Sequence, residues 1–346
     1  MGLLIFQEGA CPMMRKLLKA VTGLVCAAVT VLALPCEADA APGLGSGAVF
    51  PVRFNEYEST YVSTQTAYLN GLYFTVDTYH DRIIYTEPEN VGGDTSRWKI
   101  MADDLNKPHC ICSDGIIYLV ADTDNNRVVT YARVATGEFV EIQSFENVGI
   151  RPHYCVYDAA TSSFYVWSSY TGEMYIYKRP ANGLLIRLDR VRRVDCLYGV
   201  YTRSFTIDGN NILFCSQGVG GIISVNKRTF RINGLYPVCD ELGGIVQIAH
   251  IGNHYYLTTS SDRFGDRSKA TIVRSTSPGG FYFTGQYEEV ITQLGGVRGS
   301  CVPYYLTPAS GAYFARFDGL SGDYKDFALT FAEDPFGNIL IGNRFP

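Results

Sequence analysis

"YLVADTDNNRVVTY" at 118–131 repeats "YFTVDTYHDRIIYT" at 73–86 with an offset of 45 residues. Asp77 falls on Asp122, Thr78 on Thr123 and Arg82 on Arg127. Each stretch places β-branched and aromatic residues on both sides of a short polar turn, the pattern of a β-hairpin. Similar hairpins recur at 164–178, 212–226, 255–274 and 312–329. A short strand ending in a turn such as "LNG", "SDG" or "IDGNN" precedes each of them. A fourth strand, such as "EFVEIQSF" (138–145) or "LLIRLDRV" (184–191), follows most. No convincing amphipathic helix stands out after residue 40.

A fixed period of this length marks a repeat architecture. Six units of about 45 residues, each with four short strands, predict an all-β fold: a β-propeller of six four-stranded blades. Five or seven blades are the alternatives, because the last unit is long. The second unit, "GIIYLVADTDNNRVVTYAR", resembles an NHL repeat, whose hallmark is an Asp-Thr…Asn-x-Arg hairpin. The first unit matches that pattern in part, and the other four keep only its strand layout. The resemblance implies a propeller and assigns no activity. "AVFPVRF" (48–54) is expected to supply the outer strand of the last blade and so close the ring.

The N-terminus reads as an export signal. Arg15, Lys16 and Lys19 precede an uncharged run from Ala20 to Leu34, and Ala38-Asp39-Ala40 follows as a small-x-small cleavage site. The apolar run of 15 residues is short of the roughly 20 that span a bilayer. Residues 1–40 are therefore expected to be a signal peptide cleaved near Ala40, with 1–12 a misplaced start, and 41–346 a single propeller domain. The expected location is secreted or in the cell envelope, with no transmembrane helix in the mature chain. The net charge is −5 before and after removal of residues 1–40, which offers no electrostatic footprint for nucleic acid. Seven cysteines remain, at irregular spacings, and most sit in apolar runs as small hydrophobes.

Aligning the first strand of each blade on His109 gives Gln65, His153, Arg203, Gln247 and Tyr304, all polar. Two residues on stand Ala67, Ile111, Cys155, Phe205, Ala249 and Leu306, all apolar, as the alternation of a strand requires. The six polar residues are expected to ring the mouth of the central channel as a ligand site. Arginine forks onto carboxylate or phosphate, while imidazoles and carboxamides add directed hydrogen bonds. The competing reading is a water-filled channel with a polar lining.

No metal site is assigned. The ring has no carboxylate and only two imidazoles, fewer than the three protein ligands of catalytic zinc. His109-Cys110-x-Cys112 resembles a metal motif, but on a regular strand the histidine points away from both cysteines. A divalent ion is retained only as a minor alternative, and no cofactor is expected. Asp77–Arg82 and Asp122–Arg127 are expected to be ion pairs within blades. His80 is expected to be solvated, and His250 and His254 structural or solvated. The loop at 260–269 is either an ordinary exposed loop or a lid over the ring, in which Asp262 and Asp266 would bind calcium. "GVGG" (218–221) is a hairpin turn, since no helix follows it to cradle a phosphate.

The function expected is that of an exported bacterial, monomeric binding or scaffold module. Its partner would be a glycan, a peptide, a protein or a small polar or anionic ligand. The alternative is a channel-mouth enzyme (a lyase, a hydrolase or a cofactor-dependent dehydrogenase) with His109 or His153 as base and Arg203 as anion clamp.

Overall fold

A computed structural model describes residues 52–320 and 325–346. The expected signal peptide lies outside the described residues. Twenty-four strands form six antiparallel sheets of four, each arranged in simple up-and-down order. The first blade contains β1 (Gln65–Leu69), β2 (Leu72–Asp77), β3 (Arg82–Thr86) and β4 (Lys99–Ala102). The second contains β5 (Pro108–Ser113), β6 (Ile117–Asp122), β7 (Arg127–Arg133) and β8 (Phe139–Phe145). In the third are β9 (Pro152–Asp158), β10 (Ser163–Ser168), β11 (Glu173–Lys178) and β12 (Arg187–Arg193).

The fourth blade is built from β13 (Thr202–Asp208), β14 (Asn211–Ser216), β15 (Gly221–Asn226) and β16 (Ile232–Pro237). The fifth has β17 (Ile245–Ile251), β18 (His254–Thr259), β19 (Thr271–Ser275) and the two-residue β20 (Glu288–Glu289). The sixth has β21 (Cys301–Ala309), β22 (Ala312–Gly319), β23 (Phe327–Glu333) and β24 (Ile339–Phe345). The inner strands pack in the ring order β1, β5, β9, β13, β17, β21 and back to β1. This is the six-bladed propeller that the repeat predicts. Among the described residues the helical segments are short 3₁₀ turns, and no helix is long and apolar enough to cross a membrane.

The Asp-Thr…Arg hairpin shows its purpose in the hydrogen bonds. Asp122 Oδ1 accepts the backbone N–H of Asn106, at the entry to the inner strand, at 2.7 Å. Its Oδ2 accepts Arg127 Nε at 2.6 Å and Asn125 Nδ2 at 2.8 Å. Asp77 repeats this, with Oδ1 on Tyr61 N and Oδ2 on Arg82. Both carboxylates are fully buried, so each needs such partners. The threonine that follows ties the next blade: Thr123 Oγ1 donates to Pro152 O at 2.8 Å. In the third blade Ser168 replaces the aspartate, because its hydroxyl can accept from Ile150 N and donate to Ile150 O. The expected ion pairs are present, and the motif fades where a hydroxyl does the same work.

Aromatic residues fill the space between sheets. Phe74, Tyr85, Tyr118 and Phe139 interlock between the first two blades at centroid separations of 4.9–5.9 Å, in the offset and edge geometries that aromatic rings prefer.

Ring closure differs from expectation. The sixth blade takes its outer strand from β24, the chain's own C-terminal segment. The described part of the 48–54 stretch runs instead along β4 of the first blade, with Phe54 bridged to Lys99. With every position of the sixth blade filled, no N-terminal strand is needed there. Side chains close the ring. Arg316 of β22, fully buried, donates to Thr60 Oγ1 at 2.6 Å, to Ser63 Oγ and to Pro346 O at 2.8 Å. Asp326 accepts Ser63 N at 2.8 Å and Ser63 Oγ at 2.7 Å.

Candidate functional site

A β-bulge near the start of the inner strand builds the channel mouth. In the second blade Pro108 pairs with Asp122 and Cys110 with Ala121, leaving His109 as the extra residue. His153, Arg203 and Val246 are extra in the next three blades, and Tyr304 and Tyr305 together oppose Arg316 in the sixth. Thr64 holds the position in the first blade, its N–H reaching Val76 O, whose residue pairs with Gln65. Bulges of this kind re-aim side chains. The residues two places earlier in the first three blades, Val62, Lys107 and Arg151, share left-handed φ values of +48°, +46° and +58°. Such values are uncommon for residues other than glycine.

The mouth layer is therefore Thr64, His109, His153, Arg203, Val246 and Tyr304. Four of the six residues expected there are present. Gln65 and Gln247 are a correction: they stand one residue further in, level with Cys110, Tyr154, Ser204 and Tyr305. Their amides clasp neighbouring blades. Gln65 accepts Ile111 N at 2.7 Å and donates to Ile111 O at 3.2 Å. Gln247 accepts Leu306 N at 2.6 Å.

His109 and His153 meet at the mouth, with ring centroids 4.0 Å apart. His109 Nδ1 lies 2.8 Å from Lys107 O, so this nitrogen carries the proton and Nε2 is left as an acceptor. Burial pushes His109 down to about 4, partly opposed by that hydrogen bond. His153 is held between two phenols, with Nδ1 2.9 Å from Tyr305 Oη and Nε2 3.0 Å from Tyr201 Oη. A neutral imidazole donates to one and accepts from the other. Burial, then His109, Arg203 and Arg151, hold it well below the usual histidine range.

Beneath the mouth the axis is plugged. Tyr305 comes from the sixth blade and Tyr154 from the third, and they pack edge to face at 4.6 Å. Gln247 Nε2 donates to Tyr154 Oη at 2.7 Å. All three are buried. The water-filled channel of the competing expectation is replaced at this level by a packed plug.

Around the pair stand the polar groups that face the loops. Arg203 donates to Ser260 Oγ at 2.8 Å and lies 5.6 Å from the Tyr201 ring. Its Nε is buried without a hydrogen-bond partner, as is that of Arg151, which pairs through its other end with Asp124 at 2.8 Å. Tyr304 is pushed up to about 12, chiefly by burial. Asp318, at the end of β22, is missed by sequence reasoning. Burial and the neighbouring Asp326 carboxyl push it up to about 7, and Arg267 of the 260–269 loop lies 3.5 Å away. Tyr201 and Tyr305 are missed too, since nothing in their local sequence shows a ring partner.

The other candidates resolve individually. His80 is a correction: instead of being solvated it bonds to Asp77 at 2.8 Å and stacks on Tyr57 at 4.2 Å. It lines a cleft of about 490 Å³ with Arg53, Tyr57, Arg82 and Asp103, none of them a mouth-layer residue. His250 pairs with Asp208 and His254 with Glu333, both at protein carboxylates. Asp262 and Asp266 spend one oxygen each on backbone amides of their own loop. Among the described residues no cluster of three or more His, Cys, Asp or Glu is arranged for a metal. The seven cysteines among the described residues are free thiols.

No family model matches the chain, and no curated protein does. Solved structures match its fold. A candidate 6-phosphogluconolactonase from Bacteroides uniformis ATCC 8492 is 11% identical, with a TM-score of 0.53, covering 88% of this chain and 94% of that one. A streptogramin B lyase is 11% identical with a TM-score of 0.53, covering 85% and 86%. Hydrazine synthase of Kuenenia stuttgartiensis is 11% identical with a TM-score of 0.52, covering 87% and 90%. At this identity the likeness is one of fold, and fold alone does not assign function.

Proposed function

We propose that the protein is an exported binding module whose channel mouth takes a small polar, anionic ligand. The observation that carries this is Arg203: a mouth guanidinium that lies beside a tyrosine ring, donates to a serine hydroxyl and keeps a buried Nε without a hydrogen-bond partner among the described residues. An arginine without a carboxylate is set to fork onto an incoming carboxylate or phosphate. His109 Nε2 would accept from a ligand hydroxyl, and the Tyr304 phenol would add a further contact. Export rests on the basic, apolar and small-x-small order of residues 15–40.

The enzyme alternative draws support from Asp318, whose affinity for a proton near neutrality suits acid–base work. The histidines suit it less. His153 has both nitrogens engaged, and His109 is a weak base at about 4. A thermal-shift panel of organic acids, sugar phosphates, nucleotides and oligosaccharides, on the wild type and on Arg203→Ala, tests the proposal. A ligand that shifts only the wild type supports it, and turnover of that ligand lost in Asp318→Asn would move the assignment to the enzyme.

A further inference from the structure

The outer edge of the third blade is exposed and basic, and lies across its sheet from the inner strand that reaches the mouth. β12 reads "RLDRVRR" and ends its sheet, whose order is β12-β11-β10-β9. Its outward N–H and C=O groups therefore have no strand beside them. It is the one described strand longer than two residues in which every residue is exposed. Two of the other edges are covered or short: the 53–55 segment runs along β4, and β20 has only two residues.

A bulge sorts the side chains of β12. Leu188 pairs with Tyr177 and Arg190 with Ile176, so Asp189 is the extra residue and the alternation is reset there. Arg187, Arg190 and Arg192 then share one face, while Leu188, Val191 and Arg193 share the other. Arg190 is tied to Asp189 and Arg193 to Asp195. Arg187 and Arg192 have no ion-pair partner among the described residues. The chain as a whole is acidic at −5, so this row of arginines is a local reversal of charge.

We infer that β12 is a docking strand for an acidic, extended segment of a partner protein, added to the third blade by main-chain pairing. Same-face residues of a strand recur about every 7 Å, so an incoming strand with a carboxylate at every second position meets the arginine row. Its intervening apolar residues fall beside exposed Leu188 and Val191. Main-chain bonds supply affinity and the alternating side chains supply selectivity. Like charges turn away a second copy of β12 itself.

Fluorescence anisotropy on the full chain tests this with an eight-residue peptide of alternating Glu and Val. The alternating peptide is expected to bind in a salt-sensitive way. An isomer of four Glu followed by four Val, and a version N-methylated at alternate residues, are expected to bind on the order of tenfold more weakly or worse. Arg187→Glu with Arg192→Glu should abolish binding while leaving Tm unchanged, since both residues are exposed. Arg187→Gln with Arg192→Gln should weaken it in part. Absence of binding, equal binding of the block or N-methylated peptide, or an unaffected double variant would overturn the inference. So would co-sedimentation with vesicles of equal phosphatidylcholine and phosphatidylglycerol that the peptide does not compete.

Discussion

Arg316 and Ser63 are 253 residues apart in sequence and hydrogen-bonded in the fold, at the seam between the sixth blade and the first. With Asp326 on the same serine, they close a ring that no shared strand closes. Replacing Arg316 by Leu leaves the Asp326 carboxylate buried without its counter-charge. The expected cost is about 3–5 kcal/mol, the range for breaking one side of a buried pair, read as a fall in the urea midpoint. A midpoint within experimental error of the wild type would show that the seam is held by packing alone.

The buried histidines predict acid sensitivity. His109 is lowered from an ordinary value of 6.5 to about 4. The unfolded chain therefore binds more protons between these values, and stability is present above 6.5 and lost as pH falls through about 4. His109→Asn keeps a donor for Lys107 O and removes the titration. Its unfolding free energy should fall less steeply than that of the wild type between pH 6.5 and 4. Parallel curves would mean that His109 titrates alike in both states.

Asp318 predicts the opposite slope. Raised from 3.8 to about 7, it binds its proton more tightly when folded. Its contribution is fully present below pH 4 and is lost as pH rises through about 7. Asp318→Asn should remove this decline, so the variant gains stability relative to the wild type as pH rises from 4 to 7. Parallel pH curves for the variant and the wild type would contradict this.

Gln247 separates clasp from ligand site. Gln247→Leu leaves Leu306 N–H without its acceptor, at a cost of about 1–3 kcal/mol for a buried unsatisfied group. The loss should appear in chemical denaturation whether or not a ligand is present. A neutral substitution would return the residue to the list of ligand contacts.

The blades were legible because hairpin chemistry repeats. Asp77 and Asp122 each tie an inner-strand entry and an arginine, so selection for that device left an offset of 45 residues in the sequence. The same offset carries His109 to Thr64 and not to Gln65. Gln247 stands beside apolar Val246, so polarity points to the wrong position there, while Gln65 stands beside Thr64, which is equally polar; the bulges that set the true register leave no mark in composition. Tyr201, Tyr305 and Asp318 were hidden for another reason. Tyr201 and Tyr305 both meet His153 from other blades, and Asp318 meets Asp326 beside the next strand and Arg267 of the fifth blade. Closure by Arg316 was hidden likewise, since an arginine in a β-strand reads as solvated.

Titration calorimetry shows whether Arg203 clamps an anion at the channel mouth. The titrant is the compound with the largest thermal shift in the wild type, and the variant is Arg203→Ala. A charge-assisted hydrogen bond is worth about 1.5–3 kcal/mol, so the variant should bind roughly 10- to 100-fold more weakly with an unliganded Tm close to that of the wild type. Equal affinity in the two proteins, or a panel in which no anionic compound shifts the wild type, would mean that Arg203 clamps no anion.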